Sequence, residues 1–291
     1  MKKFVILVGP TASGKTGLSI QLAKHYGFEI INGDSVQVYQ GLDIGSAKIK
    51  PTEMQGVKHH LLDIRDPKNP YSVFDFQTDA RHLLETIEHP MIVGGTGFYI
   101  NAAISNYEFV EEKRHDDFDR SRDHLSNLEL YEQLIQHDPE IIIDVNNRRR
   151  LLRALEQALA GTPRSQKNKK DEKLYQPLII YLDLKRDLLE ERLWTRLNKQ
   201  LEDGFIDEVK GLLSQGISIH AIGYREIESY LRGELSEAKM KEKIIKASKT
   251  LAKKQKTYFI NQMHPMVLDA CSPTLFEDAK ALIDSYMRGQ S

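Results

Sequence analysis

Residues 9–16, Gly9-Pro10-Thr11-Ala12-Ser13-Gly14-Lys15-Thr16, follow the pattern G-x-x-x-x-G-K-[ST]. The apolar run 4–8 before them (Phe4, Val5, Ile6, Leu7, Val8) reads as a buried strand, and Leu18, Leu22 and Ala23 behind them recur at helical spacing. Strand, glycine-rich turn, helix is the opening of an α/β fold, here a parallel sheet carrying a phosphate loop (P-loop) and flanked by helices. Gly9 and Gly14 let the backbone wrap an anion, so that N–H groups and the helix N-terminus point at phosphate oxygens. Lys15 adds a point charge, and the Thr16 hydroxyl is the expected ligand of a magnesium ion. The pattern leaves the ligand open, because a nucleoside triphosphate and an organic diphosphate present similar oxygens.

Composition narrows the class. With 291 residues, 40% hydrophobic and 29% charged, the chain can bury one good core and carry a second, smaller module. A single cysteine, Cys271, excludes a disulfide framework and a clustered-cysteine metal site and suits the cytosol. There is no apolar run of membrane-spanning length, and Met1-Lys2-Lys3 leads straight into the first strand without a signal-peptide pattern. A cytoplasmic, membrane-free protein is the expectation. The formal net charge is -1, so any nucleic-acid surface has to be local.

Along the chain, Gly27 closes the first helix and residues 28–31 read as a second strand, delivering Gly33-Asp34-Ser35 at its carboxyl end. In open α/β sheets that edge is the ligand crevice, so Asp34 belongs beside the phosphate loop. The competing reading makes Asp34 the cap of a helix beginning at Ser35. Residues 59–64 read as a third strand, 71–85 as a helix with Phe74, Leu83 and Leu84 on its apolar positions, and 91–93 as a buried strand running into Gly94-Gly95-Thr96-Gly97. His59 and His60 lack acidic or cysteine partners at ligand spacing and are read as structural. Residues 111–124 are almost continuous charge, marking a departure from the core. Beyond them, 128–135 has a helical pattern, and Asn146-Asn147 caps a helix running to Ala160. On that last helix Leu151, Leu155 and Ala158 share one face, with Arg149 and Arg153 opposite. Those arginines and the basic stretch 164–173 suit nucleic-acid phosphates, or simply solvent. The core resumes with a strand at 178–184 and a helix carrying Arg192 and Arg196. Ser236 then opens a long helix with Ile244, Leu251 and Tyr258 on one side and Lys246, Lys249 and Lys253 on the other. Val267 to Asp269 reads as an edge strand, and 276–286 as a terminal helix.

Several segments together resemble the tRNA dimethylallyltransferases: Asp34-Ser35-Val36-Gln37-Val38-Tyr39, Leu42-Asp43-Ile44-Gly45-Ser46-Ala47-Lys48, His59-His60-Leu61-Leu62-Asp63-Ile64, Tyr71-Ser72-Val73-Phe74-Asp75-Phe76, Val93-Gly94-Gly95-Thr96-Gly97-Phe98-Tyr99, Arg149-Arg150-Leu151-Leu152-Arg153 and Ala221-Ile222-Gly223-Tyr224-Arg225-Glu226. The resemblance implies a catalytic core over 1–112 and 174–291 with a helical, tRNA-gripping insertion over 113–173. It implies transfer of a dimethylallyl group from dimethylallyl diphosphate to N6 of the adenosine beside the anticodon, on a tRNA bound through its anticodon stem-loop, by a monomer using Mg2+. Carried over residue by residue, it makes Asp34 the base and Thr96 and Arg196 catalytic, with residues 9–16 on the diphosphate. Asp34, Ser35, Val36, Gln37, Thr96, Arg149, Arg150, Leu151, Leu152 and Arg153 are placed on the tRNA. Against the family's usual pattern the chain reads as short at 112–116, at 167–171 and before His220, as if loops were missing. Two other classes share part of the pattern: a small-molecule kinase of the phosphate-loop class, using ATP with Asp34 as base, and an RNA-binding protein that keeps the loop only as structure.

Overall fold

The computed structural model describes residues 2–107, 109, 116–166 and 173–289. They form two compact units, Met1–Ile104 with Tyr175–Ser291, and Ser105–Leu174. The smaller unit therefore starts earlier than the expected 113. The opening of the charged run, 111–115, and residues 167–172 of the basic stretch lie outside the described residues, as do most of the positions where the chain reads as short.

In chain order the elements are β1 (Val5–Val8), α1 (Lys15–Tyr26), β2 (Glu29–Gly33), β3 (His59–His60), α2 (Val73–Thr86), β4 (Pro90–Gly94) and α3 (Gly97–Ile104). The smaller unit supplies α4 (Asp116–Arg120), α5 (Asn127–His137) and α6 (Arg148–Leu159). The larger unit then continues with β5 (Leu178–Asp183), α7 (Arg186–Glu202), α8 (Phe205–Ser214), α9 (Tyr224–Leu231), α10 (Glu237–Met263), β6 (Met266–Asp269) and α11 (Leu275–Arg288). The strands form one sheet in the order β3-β2-β4-β1-β5-β6, parallel throughout.

The period-two alternation of a strand decides what each sheet face holds. Ile6 and Val8 join Ile31, Ile92 and Tyr181 under Phe76 and Leu84 of α2, Ile100 of α3 and Phe259 of α10. Val5 and Leu7 face the other way, with Ile30, Met91 and Ile180, against Leu18 and Leu22 of α1 and Ile283 of α11. Central strands buried on both faces read as continuous apolar runs, which is what residues 4–8 show. A separate helical cluster joins α7 to α10 through Leu193, Leu197, Phe205, Tyr224, Ile227 and Ile244.

Three expectations change. β3 is two residues long rather than six, because Leu61 and Asp63 take left-handed backbone conformations (φ 59° and 55°) that end the strand. In α2, capped by a reciprocal Ser72–Asp75 box, the buried positions are Phe76, Gln77, Ala80 and Leu84, while Phe74 is exposed. In α10 the buried face is offset from the expected one: Leu251 is 40% exposed, and the buried residues are Met240, Ile244, Ile245, Ala252, Phe259 and Met263. Ile245, Ala252 and Phe259 keep the seven-residue spacing, but one position, about 100° round the helix, from the expected series.

The smaller unit packs α5 against α6 around Leu130, Leu134, Leu151, Leu152, Ala154 and Leu155. Asn147 caps α6 by accepting the Arg150 N–H, and Gly161 follows the helix with φ 78°. Leu151 and Leu152, expected among the tRNA contacts, are buried in this core, which is a correction: their side chains are used in packing. Arg149 and Arg150 are exposed, whereas Arg153 is half-buried and donates to Glu156 at 2.7 Å. Arg148 is structural, donating to the Leu125 and Arg122 carbonyls. Burial, with Arg150 and Arg153 adding to it, lowers the pKa of Arg164, which donates to Gln157 at 2.7 Å.

Candidate active site

Adjacent strands β2, β4 and β1 end on one edge, so the loops after them are neighbours. The loop after β1 is the phosphate loop. Ala12 and Gly14 hold positive φ (63° and 86°), the turn that aims successive N–H groups inward. A Cβ on Gly9 would stand 2.9 Å from the Leu182 carbonyl oxygen, so glycine is required there. Lys15 Nζ donates back to the Gly9 and Pro10 carbonyls at 2.9 and 2.7 Å, closing the loop on itself. Burial, reinforced by the Arg196 guanidinium, pushes its pKa down to about 8, against an upward pull from Asp34. Ser13 is buried and its hydroxyl has no partner, while Thr16 is exposed.

The loop after β2 carries Asp34, and no helix starts at Ser35. Instead Asp34 Oδ1 accepts the Val36 N–H at 2.8 Å, a local turn that sets the carboxylate's direction. The buried Asn32 side chain fixes this turn from below, accepting the Asp34 N–H and donating to the Asp34 and Leu61 carbonyls, each at 3.0–3.1 Å. The loop after β4 meets it. Thr96 Oγ1 accepts the Ser35 N–H at 3.1 Å, and Thr96 N–H donates to Gly33 O at 3.2 Å. This approach needs glycine, because a Cβ on Gly94 would lie 2.3 Å from the Gly33 backbone. Helix α10 seals the back: Gln255 donates to Gly95 O at 2.8 Å, and Tyr258 fills the space a Cβ on Gly97 would need.

From the other side α7 delivers two arginines. Arg196 Nη1 donates to Thr11 Oγ1 at 2.6 Å and Nη2 reaches Ser46 O at 3.4 Å. Arg192, one turn earlier, donates to Ala12 O at 3.3 Å. Glu190 of the same helix pairs with Lys249 of α10. Burial lowers the Arg196 pKa, opposed by Asp34, so the guanidinium, the Lys15 ammonium and the Asp34 carboxylate share one field. Gln37 Nε2 donates to Ser46 O at 3.1 Å.

The fold thus brings together residues 9–16, Asp34, Ser35, Val36, Gln37, Thr96 and Arg196. Arg149, Arg150, Leu151, Leu152 and Arg153 belong to the smaller unit. Sequence reading missed Asn32, Arg192, Gln200, Glu208 and Gln255 as supports. Only Arg192 had a signal, its place one turn from Arg196. The two histidines make hydrogen bonds, His60 to Glu29 at 2.6 Å and His59 to Val57 O at 2.9 Å, and burial lowers the His59 pKa. Among the described residues no group of three or more His, Cys, Asp or Glu is placed to hold a metal.

Such an edge can hold a phosphate-bearing ligand between loop N–H groups and two cations, with one carboxylate facing whatever lies beside it. Comparison with known proteins agrees in kind. The IPP transferase family model matches residues 37–262. A tRNA dimethylallyltransferase of Acholeplasma laidlawii is 49% identical over 278 residues, 96% of each chain. That of Phytoplasma australiense is 41% identical over 293 residues and 100% of both chains. Among solved structures, the tRNA isopentenylpyrophosphate transferase of Bacillus halodurans shares 36% identity at a TM-score of 0.75, covering 100% of this chain and 97% of its own. A eukaryotic dimethylallyltransferase described as acting on tRNA shares 26% identity at 0.87, covering 100% of this chain and 81% of its own.

Proposed function

The chain belongs to the IPP transferase family, the tRNA dimethylallyltransferases, and on that premise we propose how its residues divide the reaction. The substrate is dimethylallyl diphosphate and the acceptor is N6 of the adenosine at position 37, next to the anticodon, in tRNAs reading codons that start with U. The product is N6-(dimethylallyl)adenosine. The observation that carries the reading is the convergence of Lys15 and Arg196 on the phosphate loop with Asp34 in the same field.

The allylic C–O bond breaks with its electron pair going to the diphosphate, and the N6 lone pair forms the new C–N bond. Loop N–H groups, Lys15 and Arg196 take up the charge developing on the leaving oxygens, which is where fixed donors contribute most. Lys15 is released from the Gly9 and Pro10 carbonyls to do so. Asp34 accepts the N6 proton through the carboxylate oxygen not engaged by Val36. Thr96 holds the Ser35 backbone, and so the direction of Asp34, while Ser35, Val36 and Gln37 border the adenosine, which must be splayed from its loop to reach them.

The exposed Thr16 hydroxyl, next to Lys15, would hold a magnesium ion beside the diphosphate, in keeping with Mg2+ taking few protein ligands. When bound it offsets leaving-group charge. Arg149 and Arg150 contact the anticodon stem through phosphates, with Arg153 contributing less because Glu156 holds it. No helix among the described residues is long and apolar enough to cross a membrane, and our reading is of a cytoplasmic monomer.

The test is transfer of label from dimethylallyl diphosphate to unmodified tRNA with magnesium, followed by nucleoside analysis. Label at N6 of adenosine 37 is expected. ATP turnover without RNA, and no label in tRNA, would replace this reading with the kinase.

A further inference from the structure

Residues 43–46 form a loop that no strand holds, yet three helices grip it. Glu208 of α8 turns its carboxylate onto successive backbone N–H groups: Oε2 accepts from Asp43 at 2.9 Å and Ile44 at 2.6 Å, and Oε1 accepts from Gly45 at 3.0 Å. The buried Tyr224 hydroxyl of α9 donates to Oε1 at 2.7 Å. Gln200 of α7 holds the carbonyls of the same loop, donating to Ile44 O at 2.6 Å and Gly45 O at 3.0 Å. There is no slack beneath, since a Cβ on Gly45 would meet the Phe205 ring at 2.2 Å and the Tyr224 ring at 2.6 Å. Burial and the Glu208 charge together raise the Tyr224 pKa far above its usual range, so the phenol stays a donor.

The next carbonyl, that of Ser46, receives both Arg196 and Gln37. Arg196 and Gln200 are one turn apart on α7, so a single helix face both grips this loop and carries the guanidinium that spans to Thr11. We propose that Glu208 is a positioning residue for the transfer reaction: through the 43–46 loop it sets where Arg196 stands relative to the phosphate loop. It touches no substrate. Three successive N–H groups, those of Asp43, Ile44 and Gly45, converge on one carboxylate just before the Ser46 carbonyl that accepts from the arginine. This deepens the reading of the site given above and rests on it.

The experiment compares wild type with Glu208→Gln in the full chain, measuring kcat, KM for dimethylallyl diphosphate, KM for tRNA, and Kd for inorganic diphosphate. The amide sets a donor against donors and so releases part of the loop without changing volume. KM for dimethylallyl diphosphate and Kd for diphosphate are expected to rise about tenfold, a small misplacement of a positioned group being enough, with KM for tRNA within about twofold. In an Arg196→Ala background the same change should alter Kd by less than about twofold, because residues acting through one another are not additive. Additive effects there, or unchanged diphosphate affinity in folded Glu208→Gln, would overturn the proposal. So would a fall in melting temperature and active fraction with KM and Kd unchanged. If Glu208→Gln does not fold, Tyr224→Phe, which removes only the hydroxyl at Oε1, is judged by the same criteria. Wild type that transfers no label would instead refute the activity itself.

Discussion

Replacing Asp34 by Asn isolates proton transfer from structure. Asn retains an oxygen for the Val36 N–H now held at 2.8 Å, and the bonds from Asn32 reach the backbone of residue 34, not its side chain. The turn therefore survives and the melting temperature should move by no more than about 2 °C, consistent with a change under about 0.5 kcal/mol at a non-core position. On the proposed mechanism, what is lost is the base. A positioned general base contributes roughly 100- to 10,000-fold, or about 2.7 to 5.4 kcal/mol of barrier. Neutralising residue 34 also removes an upward pull on Lys15, so comparison belongs at pH 7, where an ammonium with a pKa of about 8 is still mostly charged. The assay is single-turnover transfer with saturating tRNA and dimethylallyl diphosphate. The rate should fall at least about 100-fold with tRNA affinity unchanged. A variant that keeps more than about a tenth of the wild-type rate shows that Asp34 is not the base, because the low end of the range for such a group is already about 100-fold.

Other consequences are equally open to measurement. Because the Lys15 pKa lies near 8, below 10.5, the ammonium is charged below that pH and loses its proton as pH rises through it. Affinity for dimethylallyl diphosphate should be flat below about pH 8 and weaken above it by up to ~10-fold per unit until the bound-state pKa is reached, a dependence that Lys15→Met removes. The same shift makes the unfolded chain bind more protons between pH 8 and 10.5, so this residue's penalty on stability relaxes as pH rises through that window. Gly45→Ala drives a Cβ to 2.2 Å from Phe205 and should cost about 1–3 kcal/mol, read as a lower denaturant midpoint. Arg149→Gln and Arg150→Gln should each weaken tRNA binding and shallow its log–log salt slope by about one. Leu151→Ala should cost about 2–5 kcal/mol of stability and leave the slope alone.

The phosphate loop and Asp34 were legible because both follow a local rule, a buried strand delivering residues at its carboxyl end. The edge they share was readable for the same reason. The limits of β3 were not, since nothing in Leu61 or Asp63 as residue types announces a positive φ. Nor was the register of α10, where the buried seven-residue series runs through Ile245, Ala252 and Phe259, one position past the expected one. Glu208 was the least accessible: it is one of 42 acidic residues and acts on a loop some 163 positions away. Its partners are backbone N–H groups, which every sequence has. Leu151 and Leu152 show the opposite error, a motif transferred whole although its two adjacent leucines pack into the core of the smaller unit.

Asp34 follows β2 and the phosphate loop follows β1, with only β4 between them. Two steps across a sheet are about 10 Å, fixed by backbone hydrogen bonding and not by any side chain. At the intervening strand end the glycine pair Gly33 and Gly94 lets the loops close over that span without filler. On the proposed mechanism the sheet is thus a gauge: it measures from the diphosphate to the base and takes no reading of the hydrocarbon tail, whose length any discrimination must sense elsewhere in the chain.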